Sequence, residues 1–188
     1  MFDCDGTLAD TMPTHYLAWV AMLADHGIEF PEAQFYALGG MPTEGIIRLL
    51  AAEQGVAVGD VAAMSHDKEQ RYLAMIERVR PHPSVLGIAA RHRGVLPMGV
   101  GSGGEHWLVE RTLAAIGATG WFDAIVGADE TERHKPDPDV FLEVAHRLRV
   151  PASGCVVFED TDLGLEAARR AGMLGVDVRP LIAFETAG

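Results

Sequence analysis

Phe2-Asp3-Cys4-Asp5-Gly6-Thr7-Leu8 puts two carboxylates one residue apart, at the end of an apolar segment and just before a glycine that lets the backbone turn. In an extended segment alternate side chains share a face, so Asp3 and Asp5 point the same way while Cys4 points into a sheet. Two like charges ~4 Å apart in an effective dielectric near 20 repel by roughly 4 kcal/mol, which calls for a proton, a cation or both. A carboxylate pair at a strand's carboxyl end therefore reads as a nucleophile, an acid/base and a metal site.

Outward from that stretch the chain changes character twice. From Pro81-His82-Pro83 onward, short apolar runs alternate with helical patterns: the spacing predicts strands over 97–101, 124–127, 155–158 and 174–178, with helices over 84–93, 105–116, 138–148 and 162–171. Between residues 11 and 80 no strand signal appears. Helices are expected there over 14–27, capped by Thr14 and with Tyr16, Trp19, Val20 and Leu23 on its buried face, then over 31–37, 43–54 and 60–79. The expected fold is α/β, a Rossmann-like parallel sheet core built from residues 1–10 and 81–188 and split by an all-helical insertion over 11–80. In such a core ligands bind outside the carboxyl ends of the strands, where Asp3 stands.

Composition narrows the partners. The 188 residues include 15 basic and 27 acidic side chains, and a net charge of -12 opposes attraction to nucleic acid or anionic lipid. No apolar run approaches the ~20 residues of a spanning helix, and no basic-then-apolar signal opens the chain, so no membrane association and a cytoplasmic location are expected. Cys4 and Cys155 lack zinc spacing and read as reduced core residues. Trp121-Phe122 reads equally as core or interface, which leaves a monomer or a weak homodimer as the expected state.

Each remaining strand end carries a residue that a phosphate site needs. The strand ending at Gly101 runs into Ser102-Gly103-Gly104-Glu105, a hydroxyl and small residues ahead of a helix amino terminus, where N–H groups favour an anion. His134-Lys135-Pro136-Asp137-Pro138 is a rigid turn that fixes one lysine, a compact charge suited to a phosphoryl group. Phe158-Glu159-Asp160-Thr161-Asp162 supplies hard oxygen ligands of the kind Mg²⁺ takes.

Asp3-Cys4-Asp5-Gly6-Thr7, Ser102, Lys135 and Glu159-Asp160, in that order, resemble the four motifs of the haloacid dehalogenase superfamily of aspartate-nucleophile phosphohydrolases, and the insertion resembles its helical cap. The resemblance implies that Asp3 attacks phosphorus and that Asp5 protonates the leaving group and then activates water. It also implies Mg²⁺ held by Asp3, the Asp5 main-chain carbonyl and Asp160 with Glu159 nearby, and phosphoryl oxygens oriented by Ser102, Gly103 and Lys135. An acid at Asp5 speaks against dehalogenation, because a departing halide requires no proton. The implied substrate is a small-molecule phosphate ester.

In the family, specificity comes from the cap, where His15, Gly40, Thr43 and Lys68 are the candidates, with Arg71 beside Lys68. A β-phosphoglucomutase carries an arginine just after the glycine corresponding to Gly40, whereas Gly40-Met41-Pro42-Thr43 has none before Arg48. Pro13-Thr14-His15, Val100 to Glu105 and Cys155 through Arg179 resemble bacterial fructose-1-phosphate phosphatases that also accept 6-phosphogluconate, so a sugar or sugar-acid phosphate is expected, with phosphoglycolate and the mutase reaction as alternatives. A catalytically silent phosphate- or metal-binding domain is the remaining alternative, and no replaced motif residue supports it. A parallel strand usually has about five residues, yet only Met1 and Phe2 precede Asp3, so further apolar residues upstream of Met1 are expected.

Overall fold

The computed structural model describes residues 1–39 and 41–186; Gly40 lies outside the described residues. In chain order the elements are β1 (Ala9–Asp10), α1 (Met12–Ala24), α2 (Glu32–Ala37), α3 (Thr43–Gln54), α4 (Val61–Ala74), β2 (Arg80–Pro81) and α5 (Pro83–His92). There follow β3 (Gly99–Gly101), α6 (His106–Ala115), β4 (Ala124–Val126), α7 (Asp139–Leu148), β5 (Val156–Glu159), α8 (Asp162–Arg170), β6 (Leu174–Asp177) and α9 (Arg179–Thr186). The chain forms two compact units, one of Met1–Asp10 with Val79–Gly188 and one of Thr11–Arg78.

The first unit is mixed α/β with parallel strands. β4 pairs with β3, and β5 with β6. Between β3 and β5 lies the opening segment, reduced to a single bridging residue: Phe2 pairs with both Val100 and Phe158. Its N–H donates to Gly99 O (2.9 Å) and its carbonyl accepts from Gly101 N (3.0 Å), while Asp3 N donates to Phe158 O (3.0 Å). The expected strand is therefore present as a central ladder rung rather than a full strand. The Met1 amino group donates to Val156 O (2.8 Å), and burial pushes its pKa down to about 6 against the opposing pull of Cys155. Phe2 stacks on Phe158 (centroids 4.9 Å) and meets the half-buried Phe122 edge-on (5.8 Å).

α7 packs on β3 and β4, and α8 on β5 and β6. Val126, Val140, Phe141, Val144, Val157, Ala167 and Ala168 form one buried cluster beneath them. Each large apolar side chain hidden there contributes about 1.5–3 kcal/mol. The second crossing lies at Val79 rather than Pro81, because Arg80 and Pro81 pair antiparallel with Asp10 and Ala9. That two-residue pair and the terminal helix α9, which opens with Pro180 in its first turn, carry no pattern strong enough to be read beforehand.

The second unit is helical, with α1 and α3 packed on α4. Trp19, Met22, Leu23, Phe30, Phe35, Ile47, Leu50 and Met64 form its core. Two expectations are corrected here. α1 starts at Met12, since Pro13 falls in its first turn, where no N–H is needed, and Thr14 is buried inside the helix rather than capping it. Its buried face runs through Trp19, Met22 and Leu23, leaving Val20 38% exposed. The helix expected over 60–79 is capped by Asp60, whose side chain accepts from Ala63 N (3.0 Å), but it ends at Ala74 and passes into a short 3₁₀ turn at Ile76–Arg78.

Candidate active site

The carboxyl ends of the central segment, β3 and β5 bring Asp3, Ser102 and Glu159 into one neighbourhood. Asp3 directly follows the Phe2 rung, and the chain then folds into a tight turn in which Leu8 N and Ala9 N both donate to Cys4 O (3.0 and 3.1 Å). Gly6 makes that turn possible. Its φ is +84°, and a Cβ there would stand 2.3 Å from Asp160 Oδ2, so only glycine allows the Asp3–Thr7 turn and the loop after β5 to meet. Thr7, the last residue of the Asp3–Thr7 turn, donates its hydroxyl to Asp160 Oδ1 (2.8 Å).

Lys135 lies between two carboxylates. Its Nζ donates to Asp3 Oδ1 (2.6 Å) and to Glu159 Oε2 (2.7 Å), and it stands 4.9 Å over the Phe141 ring. Burial works to lower the ammonium's pKa, but Asp3 and Glu159 outweigh it and hold the charge firmly. The second Glu159 oxygen, Oε1, accepts from Asp160 N (3.1 Å), Thr161 N (3.0 Å) and the Thr161 hydroxyl (2.8 Å). With both oxygens engaged and the residue fully buried, Glu159 organises the loop after β5.

Asp3, Glu159 and Asp160 each offer an oxygen within 4.8 Å of the others. Such a donor set, three hard oxygens against one ammonium, fits a divalent cation such as Mg²⁺. The electrostatics agree: burial first, and Glu159 second, push Asp3 well above the usual carboxylate range, and the same two causes raise Asp160 to about 6. A dication would relieve both. The Asp5 side chain is not in this trio; it meets Ser102, whose hydroxyl donates to Asp5 Oδ2 across a long 3.4 Å. Cys4, between the two aspartates, is completely buried, and burial followed by Asp5 and Asp3 keeps its thiol protonated.

Ser102 is buried, and its oxygen accepts from Gly104 N (3.0 Å). The first amide of α6 does not serve a ligand as it stands, because His106 N donates to Asp129 Oδ1 (2.8 Å). Gly103 is exposed beside Ser102. Asp129 and Glu130, the acidic pair that fastens this loop, carry little signal in the sequence beyond an acid three residues after the strand-ending Gly127.

The remaining candidates fall in the helical unit. Lys68 Nζ lies 3.1 Å from His15 Nδ1 and donates to Glu69 Oε1 (2.8 Å), and His15 stacks on Tyr72 (3.9 Å). Arg71, by contrast, is tied to Asp67 and Asp25. Thr43 is the first residue of α3, and Gly40 falls outside the described residues.

Comparisons with known proteins find relatives along nearly the whole chain. The model of the haloacid dehalogenase-like hydrolases matches residues 1–172. Fructose-1-phosphate phosphatase YqaB of Escherichia coli is 42% identical over 182 residues, covering 96% of this chain and 96% of its own length. The β-phosphoglucomutase of Bacillus subtilis is 28% identical, covering 95% of this chain and 81% of its own. Among solved structures, CbbY of Rhodobacter sphaeroides in complex with phosphate superposes with a TM-score of 0.84 at 26% identity, over 93% of this chain and 82% of that one.

Proposed function

The chain belongs to the haloacid dehalogenase-like hydrolases, and on that footing we propose that it is a Mg²⁺-dependent phosphomonoesterase acting on a small sugar or sugar-acid phosphate. One observation carries the reading: Lys135 holds Asp3 at 2.6 Å while Ser102 stands beside Asp5, so a nucleophile, an acid and two phosphate contacts converge on one strand end.

Asp3 attacks phosphorus in line and becomes an aspartyl phosphate, which splits one hard displacement into two easier ones. Asp5 delivers a proton to the departing alkoxide and then takes one from water. Lys135 and Ser102, with the Gly103 backbone, orient the phosphoryl oxygens. Asp3, Asp160 and the Asp5 carbonyl would hold Mg²⁺, which supplies charge stabilisation as negative oxygens crowd together. Glu159 keeps Lys135 in place. Choice among leaving groups is assigned to the helical unit, with His15 and Lys68 its two buried polar candidates.

Hydrolysis is preferred over isomerisation because Gly40 to Thr43 has no arginine for a second phosphate, and Arg48 is exposed and paired with Glu44 (3.0 Å). The test is a phosphate-release screen over fructose 1-phosphate, other sugar phosphates, 6-phosphogluconate and phosphoglycolate, with and without Mg²⁺. Metal-dependent release that favours a sugar phosphate is expected. No release from any ester, or a clear preference for phosphoglycolate, contradicts the proposal.

A further inference from the structure

The loop that carries Ser102 is closed internally by Gly104 N donating to the Ser102 oxygen (3.0 Å), while Glu105, at the N-cap of α6, makes no side-chain cap bond. Further support comes from the turn after β4. Ser102 N donates to Val126 O (3.0 Å), Ala128 N to Gly104 O (2.9 Å) and His106 N to Asp129 Oδ1 (2.8 Å). Gly127 lies so near that a Cβ on it would stand 2.2 Å from His106 N.

Glu130 fastens this turn from three sides. Its Oε2 accepts from His106 Nδ1 (2.7 Å) and Gly127 N (2.9 Å), and its Oε1 pairs with Arg147 Nη2 (2.9 Å) on α7. Arg147 in turn donates to Ile125 O of β4 (2.9 Å) and to Glu143 (2.8 Å). Burial pushes the Glu130 carboxyl up, yet the Gly127 N–H, His106 and Arg147 together hold it below the usual range. Two further carboxylates face His106: Asp129, which accepts from its backbone N–H, and Glu110, 3.6 Å from Nε2.

A half-exposed ion pair by itself stabilises a protein by only ~0–1 kcal/mol, so a plain surface network is the competing reading. What separates them is where the bonds lead. Those of the 127–130 turn reach the backbone on both sides of Gly104 and Glu105, two residues from the Ser102 hydroxyl, and a misplacement of ~1 Å in a reacting site costs about 10²-fold in rate. We propose that Glu130 is a positioning residue for phosphate recognition, fixing the Ser102 loop by tying His106 to Gly127 and Arg147; this rests on the phosphatase reading above.

The test compares wild type, Glu130→Ala, Glu130→Gln, His106→Ala and the Glu130→Ala/His106→Ala double variant. Each is assayed for KM, kcat, inhibition by inorganic phosphate and the rise in Tm on adding Mg²⁺. Glu130→Ala is expected to raise KM and the phosphate inhibition constant about tenfold, the equivalent of 1.4 kcal/mol. The Mg²⁺-induced rise in Tm stays at the wild-type value, since Asp3, Glu159 and Asp160 are untouched. The double variant is no worse than Glu130→Ala, as coupled residues require. Glu130→Gln, which keeps an acceptor for Gly127, falls between.

A Glu130→Ala protein with lowered Tm but wild-type KM and phosphate inhibition overturns the proposal, and so does loss of the Mg²⁺ response along with phosphate binding. If Glu130→Ala does not fold, Glu130→Gln and His106→Ala decide by the same readouts. Should wild type hydrolyse no ester, the catalytic reading fails separately; calorimetric titration of inorganic phosphate into the same proteins then decides the positioning role, and wild type that binds no phosphate refutes it.

Discussion

Lys135 Nζ donates to Asp3 Oδ1 across 2.6 Å, with both side chains nearly buried. One ammonium thus compensates Asp3 and Glu159 at once, and its removal strands two buried carboxylates. Breaking a buried pair typically destabilises by about 3–5 kcal/mol. Lys135→Met, unfolded in urea without metal at pH 7.5, is expected to lose on the order of 3 kcal/mol. Lys135→Arg should not restore the loss, since a planar fork cannot replace a point charge set over Phe141. A loss below ~1 kcal/mol would contradict this role.

The pH dependence of metal-free stability follows from Asp160. Its folded pKa, about 6, lies above the ordinary value of 3.8, so the folded state binds the proton more tightly than the unfolded chain. Its contribution is fully present below pH 3.8 and is lost as pH rises through about 6. The upward shift of Asp3 acts in the same sense. A cation that binds only the folded protein reverses the loss. Mg²⁺ should therefore raise Tm strongly at pH 7.5 and little at pH 5, as thermal scans at the two pH values would record; equal shifts would count against a carboxylate metal site.

Asp5 is assigned proton transfer, whereas phosphate contact is assigned to Ser102 and Lys135. Asp5→Asn retains size and an acceptor for Ser102 but cannot deliver a proton. It is expected to lower kcat by ~10²–10⁴-fold. Inhibition by inorganic phosphate should stay near the wild-type value, and steady-state assays with phosphate as inhibitor check both halves.

Gly6→Ala tests the closeness of the two loops. The new methyl would stand 2.3 Å from Asp160 Oδ2 on a backbone at φ +84°, so Asp160 must move or the turn must open. Strain of this kind costs about 1–3 kcal/mol. The measurable signature is a weaker Mg²⁺-induced rise in Tm, larger in proportion than the loss of metal-free stability.

Much of the site was legible in sequence because Asp3, Ser102 and Glu159 stand where apolar runs give way to acids or small residues, and Lys135 stands in a proline-flanked turn. Asp3, Ser102, Lys135 and Glu159 could be listed that way, and the alternation after Pro81 exposed the α/β core. The strand under Asp3 could not be judged, since its pairing is one rung supplied by Val100 and Phe158, far along the chain. Thr7 looks like an ordinary turn residue until Asp160 is brought to it from 153 positions away. Glu130 is one acid among 27, and its weight comes from His106 and Arg147, which only folding brings together. Thr14 misleads in the opposite way: it has the look of a helix cap but lies buried inside α1, which starts at Met12.

Whether Asp3 is the nucleophile of a phosphomonoesterase is decided by phosphate release from fructose 1-phosphate in Mg²⁺, measured for wild type and for Asp3→Asn. Wild type is expected to turn over and Asp3→Asn to fall to background while remaining folded by circular dichroism. Release by folded Asp3→Asn at the wild-type rate would contradict it.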